Sequence, residues 1–162
     1  MRIGIIFGIA VILDQTTKAL IRATMVIGES FSVVGQVVRI TYVENPGIAF
    51  GIRVGNGFVF TLLSIFASIG VVVYLITHWD EGNGVKSGLA LILGGACGNL
   101  IDRILYRQVV DFVDVGISEL RWPVFNVADS AVVVGMIIFF ISLYLTEKKK
   151  GKMLPEMEEE IG

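Results

Sequence analysis

The chain has 162 residues, which is enough for one compact domain. Hydrophobic residues make up 54% of the chain and charged residues 17%, whereas a soluble domain carries about a quarter charged residues. This composition excludes an ordinary soluble domain and indicates a membrane protein. The net charge of -2 gives no reason to expect a nucleic-acid partner, and one cysteine with one histidine excludes an intrachain disulfide and a His/Cys metal cluster. A carboxylate-only metal site stays open, but nothing in the sequence indicates one, so we expect no metal and no cofactor.

Four apolar stretches dominate the chain. A bilayer core of roughly 30 Å requires a helix of about 20 mostly apolar residues, and the stretches that meet or approach this length are residues 3–27, 58–77, 87–105 and 127–145. The first stretch runs into Asp14 and Lys18 without a small-x-small cleavage site, which favours an uncleaved helix over a removed signal peptide. The predicted fold class is an all-α membrane protein with four transmembrane helices in a single domain, residues 1–162.

The connections between these helices predict the topology. Four spans place both termini on one side of the membrane, and the lysines at 148–150 predict that this side is cytoplasmic. Four arginines in the opposite loops weaken that signal: Arg39, Arg53, Arg107 and Arg121. We therefore expect extracytoplasmic loops at 28–57 and 106–126 and a cytoplasmic tail at 147–162. Alternating β-branched and polar residues over 38–43 predict a small β-sheet on the outer membrane face.

Three of the helices carry polar side chains at a similar depth. At 1.5 Å per residue, Asp14 lies roughly 16 Å along the first helix, and Asn99 lies roughly 18 Å along the third, which enters from the same side. Asp129 lies in the first turn of the fourth helix, which runs the opposite way. Connectivity therefore places all three in the same outer third of the bilayer. Because ionisable groups at this depth are costly and usually face the bundle interior, we predict one polar site near one membrane surface.

Helical spacing indicates the same site. Asp14 and Lys18 are four residues apart and share a face, and we interpret them as a structural ion pair rather than as catalytic groups. One stripe of the third helix contains Gly95, Asn99, Asp102 and Arg103. In this stripe we interpret the aspartate and the arginine as scaffolding. The small residues at 94–98 serve either close helix packing or room for a substrate.

Asp111 and Asp129 are the candidate catalytic pair. Taken singly, the first could be a loop carboxylate and the second an ordinary helix cap. Both, however, lie at the interface where the polar stripe ends, and two close carboxylates cannot both ionise easily, so they share one proton. The ionised carboxylate can then deprotonate a water while the protonated one polarises a carbonyl group. Nearby amides, which pack loops and helices or hold a substrate backbone and the carboxylates, are those of Asn45, Asn99 and Asn126.

Five segments, in order along the chain, resemble the motifs of the signal peptidase II family. They are Asp14-Gln-Thr-Thr-Lys18, Asn45-Pro-Gly-Ile-Ala-Phe50, Gly94-Gly-Ala-Cys-Gly-Asn-Leu-Ile-Asp-Arg103, Val109-Val-Asp-Phe112 and Phe125-Asn-Val-Ala-Asp-Ser130. Any one segment is a weak signal, but five in this order across residues 14–130 of a four-span chain are specific. The acidic end of the tail lies outside the motifs.

The resemblance implies an aspartic endopeptidase of the bacterial cytoplasmic membrane. Its substrates would be prolipoproteins whose lipobox cysteine carries diacylglycerol, cut on the amino side of that cysteine, with membrane lipids around the site and globomycin as an inhibitor. Asp111 and Asp129 would form the catalytic pair, and the outer loop at 31–57 would form a small sheet and a mobile flap over it. The supporting residues would be Asp14, Lys18, Asn45, Asn99, Arg103 and Asn126.

Three other functions remain open at this point. A small transporter or proton channel would also use intramembrane carboxylates, but the polar groups occupy one third of the bilayer and no polar path continues to the other face. A Ser–Lys hydrolase would use Lys18 with Ser130 or Ser30. A non-catalytic assembly factor would tolerate Asp111→Asn.

Overall fold

The computed structural model describes residues 2–49, 52–53 and 58–161. Within these residues the chain forms four α-helices, which are α1 (Arg2–Thr24), α2 (Phe58–Thr77), α3 (Asn83–Tyr106) and α4 (Val127–Ile161). Each is long and apolar enough to cross a membrane, and in α4 the apolar part is Val127–Lys148. The predicted class, a mostly helical membrane protein with four spans, is confirmed.

Three helix ends differ from the sequence prediction, which placed them at residues 27, 87 and 145. The first helix ends at Thr24 and is followed by a turn in which Gly28 has φ 85°. The third begins at Asn83, about one turn earlier than predicted, after Gly82 in an extended conformation. The fourth continues to Ile161 through the segment predicted as a separate tail. This segment is rich in Glu, Lys, Met and Leu, which favour helix whether or not a membrane surrounds them.

The segments between the helices form two small sheets in the described residues. Strands β1 (Ser30–Val34), β2 (Val38–Asn45), β5 (Val109–Ile117) and β6 (Leu120–Arg121) make an antiparallel sheet in the order β1-β2-β5-β6, and β3 (Ile48–Ala49) pairs with β4 (Ile52–Arg53). The predicted sheet is confirmed, and residues 106–126, expected only as a loop, supply two of its strands. The expected flap falls partly on residues 50–51 and 54–57, which lie outside the described residues.

An apolar cluster joins the sheet to the first helix. Ile21 of α1 packs with Tyr42 of β2 and with Val110 and Phe112 of β5, and all four are buried. Val110 and Phe112 flank Asp111 along β5. Because side chains alternate along a strand, these two face the cluster and the aspartate faces the other side. Burying such side chains stabilises the docking of the strand by about 1.5–3 kcal/mol each.

Small residues allow the helices to approach closely around α3. A Cβ atom on Gly88 would lie 2.7 Å from the carbonyl oxygen of Gly135 in α4, and one on Gly94 would lie 2.7 Å from Cβ of Ala10 in α1. A Cβ atom on Gly95 would meet the carbonyl oxygen of Ala128. Small residues at crossings are typical of helices that associate in lipid. The central position of α3 brings its polar stripe between the polar residues of α1 and α4.

Candidate active site

Asp129 is held at the start of α4 by a reciprocal cap. The side-chain oxygen of Asn126 accepts a hydrogen bond from the Asp129 backbone N–H at 2.9 Å, and Oδ2 of Asp129 accepts one from the Asn126 backbone N–H at 3.1 Å. This is the capping-box pattern, with Asn and Asp in place of the usual Ser/Thr and Glu. The other carboxylate oxygen of Asp129 accepts a hydrogen bond from Asn99 Nδ2 at 2.8 Å. The carboxylate is therefore fixed where the partial positive charge of a helix N-terminus favours negative charge.

Asp111 lies in β5, opposite Val43 of β2, and is only 4% exposed. Its Oδ1 accepts a hydrogen bond from Asn126 Nδ2 at 2.6 Å, and its Oδ2 accepts one from Asn45 Nδ2 at 3.0 Å. Asn126 therefore contacts both aspartates, one through its side-chain amide and the other through its backbone N–H. The structure thus brings together the two aspartates and the three amides that the sequence singled out.

The surroundings of Asp111 disfavour its ionised form. Burial raises the pKa of Asp111 to about 6 from an ordinary value of 3.8, and the negative charge of Asp129 acts in the same direction. The hydrogen bonds from Asn45 and Asn126 and the positive charge of Lys18 oppose this increase in pKa but do not cancel it. A carboxyl group with this pKa keeps its proton to a higher pH than an ordinary aspartate does.

Lys18 lies beneath the aspartate pair and is fully buried. Its Nζ contacts Oδ2 of Asp14 at 2.8 Å and Oδ2 of Asp102 at 3.2 Å, and it donates a hydrogen bond to Asn99 Oδ1 at 2.8 Å. An ammonium group has three N–H donors, so all three are used. Because Lys18 can only donate, the amide of Asn99 must turn its oxygen towards the lysine and its nitrogen towards Asp129.

Arg103 forms another side of the site. Its Nη1 donates a hydrogen bond to Ser64 Oγ of α2 at 3.2 Å, and its charge acts on Asp129, Asp111 and Asp102. Ser64 was not among the candidate residues. The available signal was its polar hydroxyl group in a helix that has no charged residue. Gly95, a candidate, contacts the backbone just before Asp129 and serves helix packing.

Gln15 is a second residue that sequence reasoning missed. Its Nε2 donates hydrogen bonds to Asp14 Oδ2 and to the carbonyl oxygen of Gly98, both at 3.0 Å, and reaches Asp102 Oδ1 at 3.4 Å. It therefore links the first helix to the polar stripe of the third. Its position inside the Asp14–Lys18 motif was the available signal.

The contacts of the two candidate serines do not support a Ser–Lys pair. Ser130 Oγ donates to the carbonyl oxygen of Asn126 at 3.0 Å, and Ser30 lies exposed on β1 with its hydroxyl 2.8 Å from that of Thr41. Neither serine is hydrogen-bonded to Lys18 in the described part of the chain. The three N–H donors of Lys18 are instead directed to Asp14, Asp102 and Asn99.

Comparison with known proteins identifies the family. A family model described as signal peptidase (SPase) II matches residues 6–145. The chain is 42% identical over 144 residues to the lipoprotein signal peptidase of Halalkalibacterium halodurans, covering 89% of this chain and 92% of that protein. It is 40% identical over 139 residues to the lipoprotein signal peptidase of Bacillus subtilis, covering 86% and 90%.

Solved structures agree with the sequence comparisons. A bacterial membrane enzyme determined by the in meso method at 2.3 Å resolution matches with a TM-score of 0.82 and 36% identity, covering 92% of this chain and 91% of that one. A second such structure, at 1.9 Å resolution, matches with a TM-score of 0.79 and 37% identity, covering 88% and 92%. The four helices and the sheet therefore belong to a known architecture, and the chain is a member of the signal peptidase II family.

Proposed function

We propose that this protein is an aspartic endopeptidase that removes signal peptides from bacterial prolipoproteins, cutting on the amino side of a lipobox cysteine that carries diacylglycerol. Relatives named lipoprotein signal peptidase, which share about 40% identity over most of the chain, support the substrate class. The observation that carries the mechanism is the pair of carboxylates, Asp111 and Asp129, joined through Asn126 at the end of the bundle.

The two aspartates take different parts in this mechanism. Asp129 is assigned as the ionised member, because it lies in the first turn of a helix, where the partial positive charge of the N-terminus favours negative charge. Asp111 holds the shared proton, because it is buried in a strand and its pKa is raised to about 6.

The reaction follows from these protonation states. The Asp129 carboxylate takes a proton from a water molecule, whose oxygen attacks the scissile carbonyl carbon. Protonated Asp111 donates a hydrogen bond to the carbonyl oxygen, where negative charge develops. When the C–N bond breaks, the proton on Asp129 passes to the leaving amino nitrogen of the cysteine. The signal peptide leaves with the new carboxyl group, and the pair returns to its starting state.

The place of the pair fits a lipid-anchored substrate. Asp129 lies in the first turn of a membrane-spanning helix, so the site is at the level where head groups meet the apolar core. A cysteine carrying diacylglycerol presents its peptide bond at that level while its acyl chains stay in the bilayer. A cyclic peptide such as globomycin, which the family resemblance suggests as an inhibitor, would compete for the same site.

We place the protein in the bacterial cytoplasmic membrane with both termini in the cytoplasm and the pair on the outer side. The four spans and the lysines at 148–150 support this orientation. Single cysteines are introduced at residue 118 or at residue 152 in a Cys97→Ala background and treated with a membrane-impermeant reagent. The cysteine at residue 118 should be labelled in intact cells, and the cysteine at residue 152 only after lysis. Labelling of residue 152 in intact cells would reverse the topology.

The decisive experiment is cleavage of a purified precursor. The protein is incubated with one prolipoprotein in two forms, with and without diacylglycerol on the lipobox cysteine, and release of the signal peptide is measured. Wild-type protein should cleave the modified form, and Asp129→Asn should not. Asp114→Asn is the matched control, because Asp114 lies on the same strand as Asp111 but pairs with Arg121 at 2.6 Å, away from the site.

Each outcome bears on one part of the proposal. Equal cleavage of both precursor forms would overturn the requirement for diacylglycerol. Near wild-type cleavage by folded Asp129→Asn would overturn the aspartic mechanism. Absence of cleavage of either form by folded wild-type protein would overturn the substrate assignment.

A further inference from the structure

Two buried carboxylates each hold the backbone immediately before one member of the aspartate pair. Asp102 Oδ2 accepts a hydrogen bond from the backbone N–H of Val110, the residue before Asp111, at 3.2 Å. Asp14 Oδ1 accepts one from the backbone N–H of Ala128, the residue before Asp129, at 2.9 Å. These bonds tie β5 to α3 and the start of α4 to α1.

One side chain connects the two carboxylates. Lys18 Nζ lies 2.8 Å from Asp14 Oδ2 and 3.2 Å from Asp102 Oδ2, and all three side chains are fully buried. A continuous path of short contacts therefore runs from the backbone before Asp111, through the ammonium group, to the backbone before Asp129.

We propose that Lys18, Asp14 and Asp102 form a clamp that sets the separation of Asp111 and Asp129. The inference rests on the proposed function, in which those two aspartates share a proton. The three clamp residues are positioning residues, because their contacts reach the pair through the backbone or through Asn99. This role goes beyond a structural ion pair, since it predicts a defined change in how the pair titrates.

The charges of the clamp favour a geometric role over an electrostatic one. Arg22 Nη2 lies 3.0 Å from Asp102 Oδ1, so Asp14 and Asp102 are balanced by Lys18 and Arg22, two negative charges against two positive ones. Among the described residues, the charged groups that act on the aspartate pair are Lys18 from α1 and Arg103 from α3. Because the charges of the clamp together with Arg22 offset one another, we assign the main effect of the clamp on the pair to distance.

The inference separates two effects of a clamp mutation. If the clamp acts only through charge, removing one carboxylate moves both apparent pKa values of the aspartate pair in the same direction. If the clamp sets the separation, the two carboxylates drift apart when it is broken, their coupling falls, and the interval between the two apparent pKa values narrows. A purely structural role lowers the melting temperature and leaves that interval unchanged.

The test measures the pair with and without a substrate. Infrared difference titration in detergent follows the protonated carboxyl band, and subtracting the Asp111→Asn spectrum identifies the signal of the pair. The pH dependence of kcat and kcat/KM is measured on the modified precursor. The clamp variants are Asp14→Asn and Asp102→Asn, which remove charge, and Asp102→Glu, which keeps charge and acceptors but moves the carboxylate. Asp114→Asn is the control, because Asp114 lies on the same strand as Asp111 but pairs with Arg121 of β6, outside the clamp.

We expect every folded clamp variant to narrow the interval between the two apparent pKa values, with a fall in kcat of about 10- to 100-fold and little change in KM. Asp114→Asn should leave the interval as in wild type. The infrared titration tests the clamp independently of the proposed function. If the two aspartates titrate in two coupled steps but the protein cleaves no precursor, the proposed function is overturned and the clamp is not. An unchanged interval in folded Asp102→Glu or in either Asn variant would overturn the clamp, even in an active enzyme.

Discussion

The two ends of the helix bundle are held together by different interactions. At the end that contains the aspartate pair, charges and amides cross between helices, as where Lys18 of α1 reaches Asp102 and Asn99 of α3. At the other end the helices meet through small and aromatic residues. There Gly88 of α3 lies against the backbone at Gly135 of α4.

The difference separates an end that needs only packing from the end where the proposed chemistry takes place. Helices in lipid associate through close backbone approach and need no ionic groups for it. Buried charges in a membrane are costly, so their concentration at one end indicates a function there. The apolar end shows that this chain can join its helices without such groups. Substitutions should therefore be able to disable the two ends separately.

The largest expected effect is on activity at the polar end. Asp111→Asn and Asp129→Asn should each lower turnover of the modified precursor by about 10²- to 10⁴-fold, because each removes one partner of a general acid–base pair. The double variant should cost little more, since residues that act as one unit are not additive. Turnover per folded molecule is the measurement. Additive losses in the double variant would show that the two aspartates act independently.

The second effect is on folding at the apolar end. Gly88→Leu should destabilise the protein by roughly 3 kcal/mol or more. Its Cβ atom would lie 2.7 Å from the carbonyl oxygen of Gly135 and 2.7 Å from the backbone nitrogen of Phe139, and neither backbone group can move aside. Gly70→Leu is the matched control, since a Cβ atom there meets nothing within 4 Å. Melting temperature and yield of folded protein in detergent should fall only for the first. Equal losses would mean that the α3–α4 crossing is not where the apolar end is held.

The sequence predicted the four helices and the convergence of their polar residues for a simple reason. A charged or amide residue in an apolar helix has a depth fixed by the rise per residue and a side fixed by connectivity. Asp14, Asn99 and Asp129 could therefore be placed together before any contact was known. The fold class followed from composition and from helix length alone.

The parts that the sequence did not reveal depend on partners far along the chain. Residues 109–117 are rich in valine, but such a short run does not say whether it forms a strand or a loop, and its partner β2 lies more than 60 residues earlier. The double role of Asn126 depends on the same pairing, because its amide reaches Asp111 only once β5 has docked. Hydrogen bonds to backbone N–H groups, such as those made by Asp14 and Asp102, leave no pattern in the residues that donate them.

The third effect is a dependence of stability on pH that should arise at the polar end. The pKa of Asp111 is raised to about 6 in the folded protein from an ordinary value of 3.8. Because the folded state binds this proton more tightly than the unfolded state, the stabilisation is complete below about pH 4 and is lost as the pH rises through about 6. The loss is roughly 3 kcal/mol at most, since one pKa unit corresponds to about 1.4 kcal/mol.

Melting temperatures between pH 4.5 and pH 8 test this effect. The wild-type melting temperature should fall over this range, and Asp111→Asn should give a flatter curve, whatever its absolute stability. Asp114→Asn should keep the wild-type slope. A wild-type curve that rises with pH would mean that Asp111 is stabilised in its ionised form, which would reverse the parts assigned to the two aspartates.

The smallest expected effect concerns the side of the second helix that faces lipid. None of the residues of α2 is buried within the protein, and Phe66 is 66% exposed. A side chain that faces lipid in the folded protein also faces lipid or detergent when the helices separate, so Phe66→Ala should change the free energy of unfolding by less than about 0.5 kcal/mol. Leu89→Ala of α3 should instead cost about 2–5 kcal/mol, because that side chain is 4% exposed and its removal leaves a cavity between helices. Melting in detergent compares the two directly. If Phe66→Ala lowered the free energy of unfolding as much as Leu89→Ala, this face of α2 would be covered in the assembled protein. In that case α2 would belong with the packed helices and not with the lipid-facing surface.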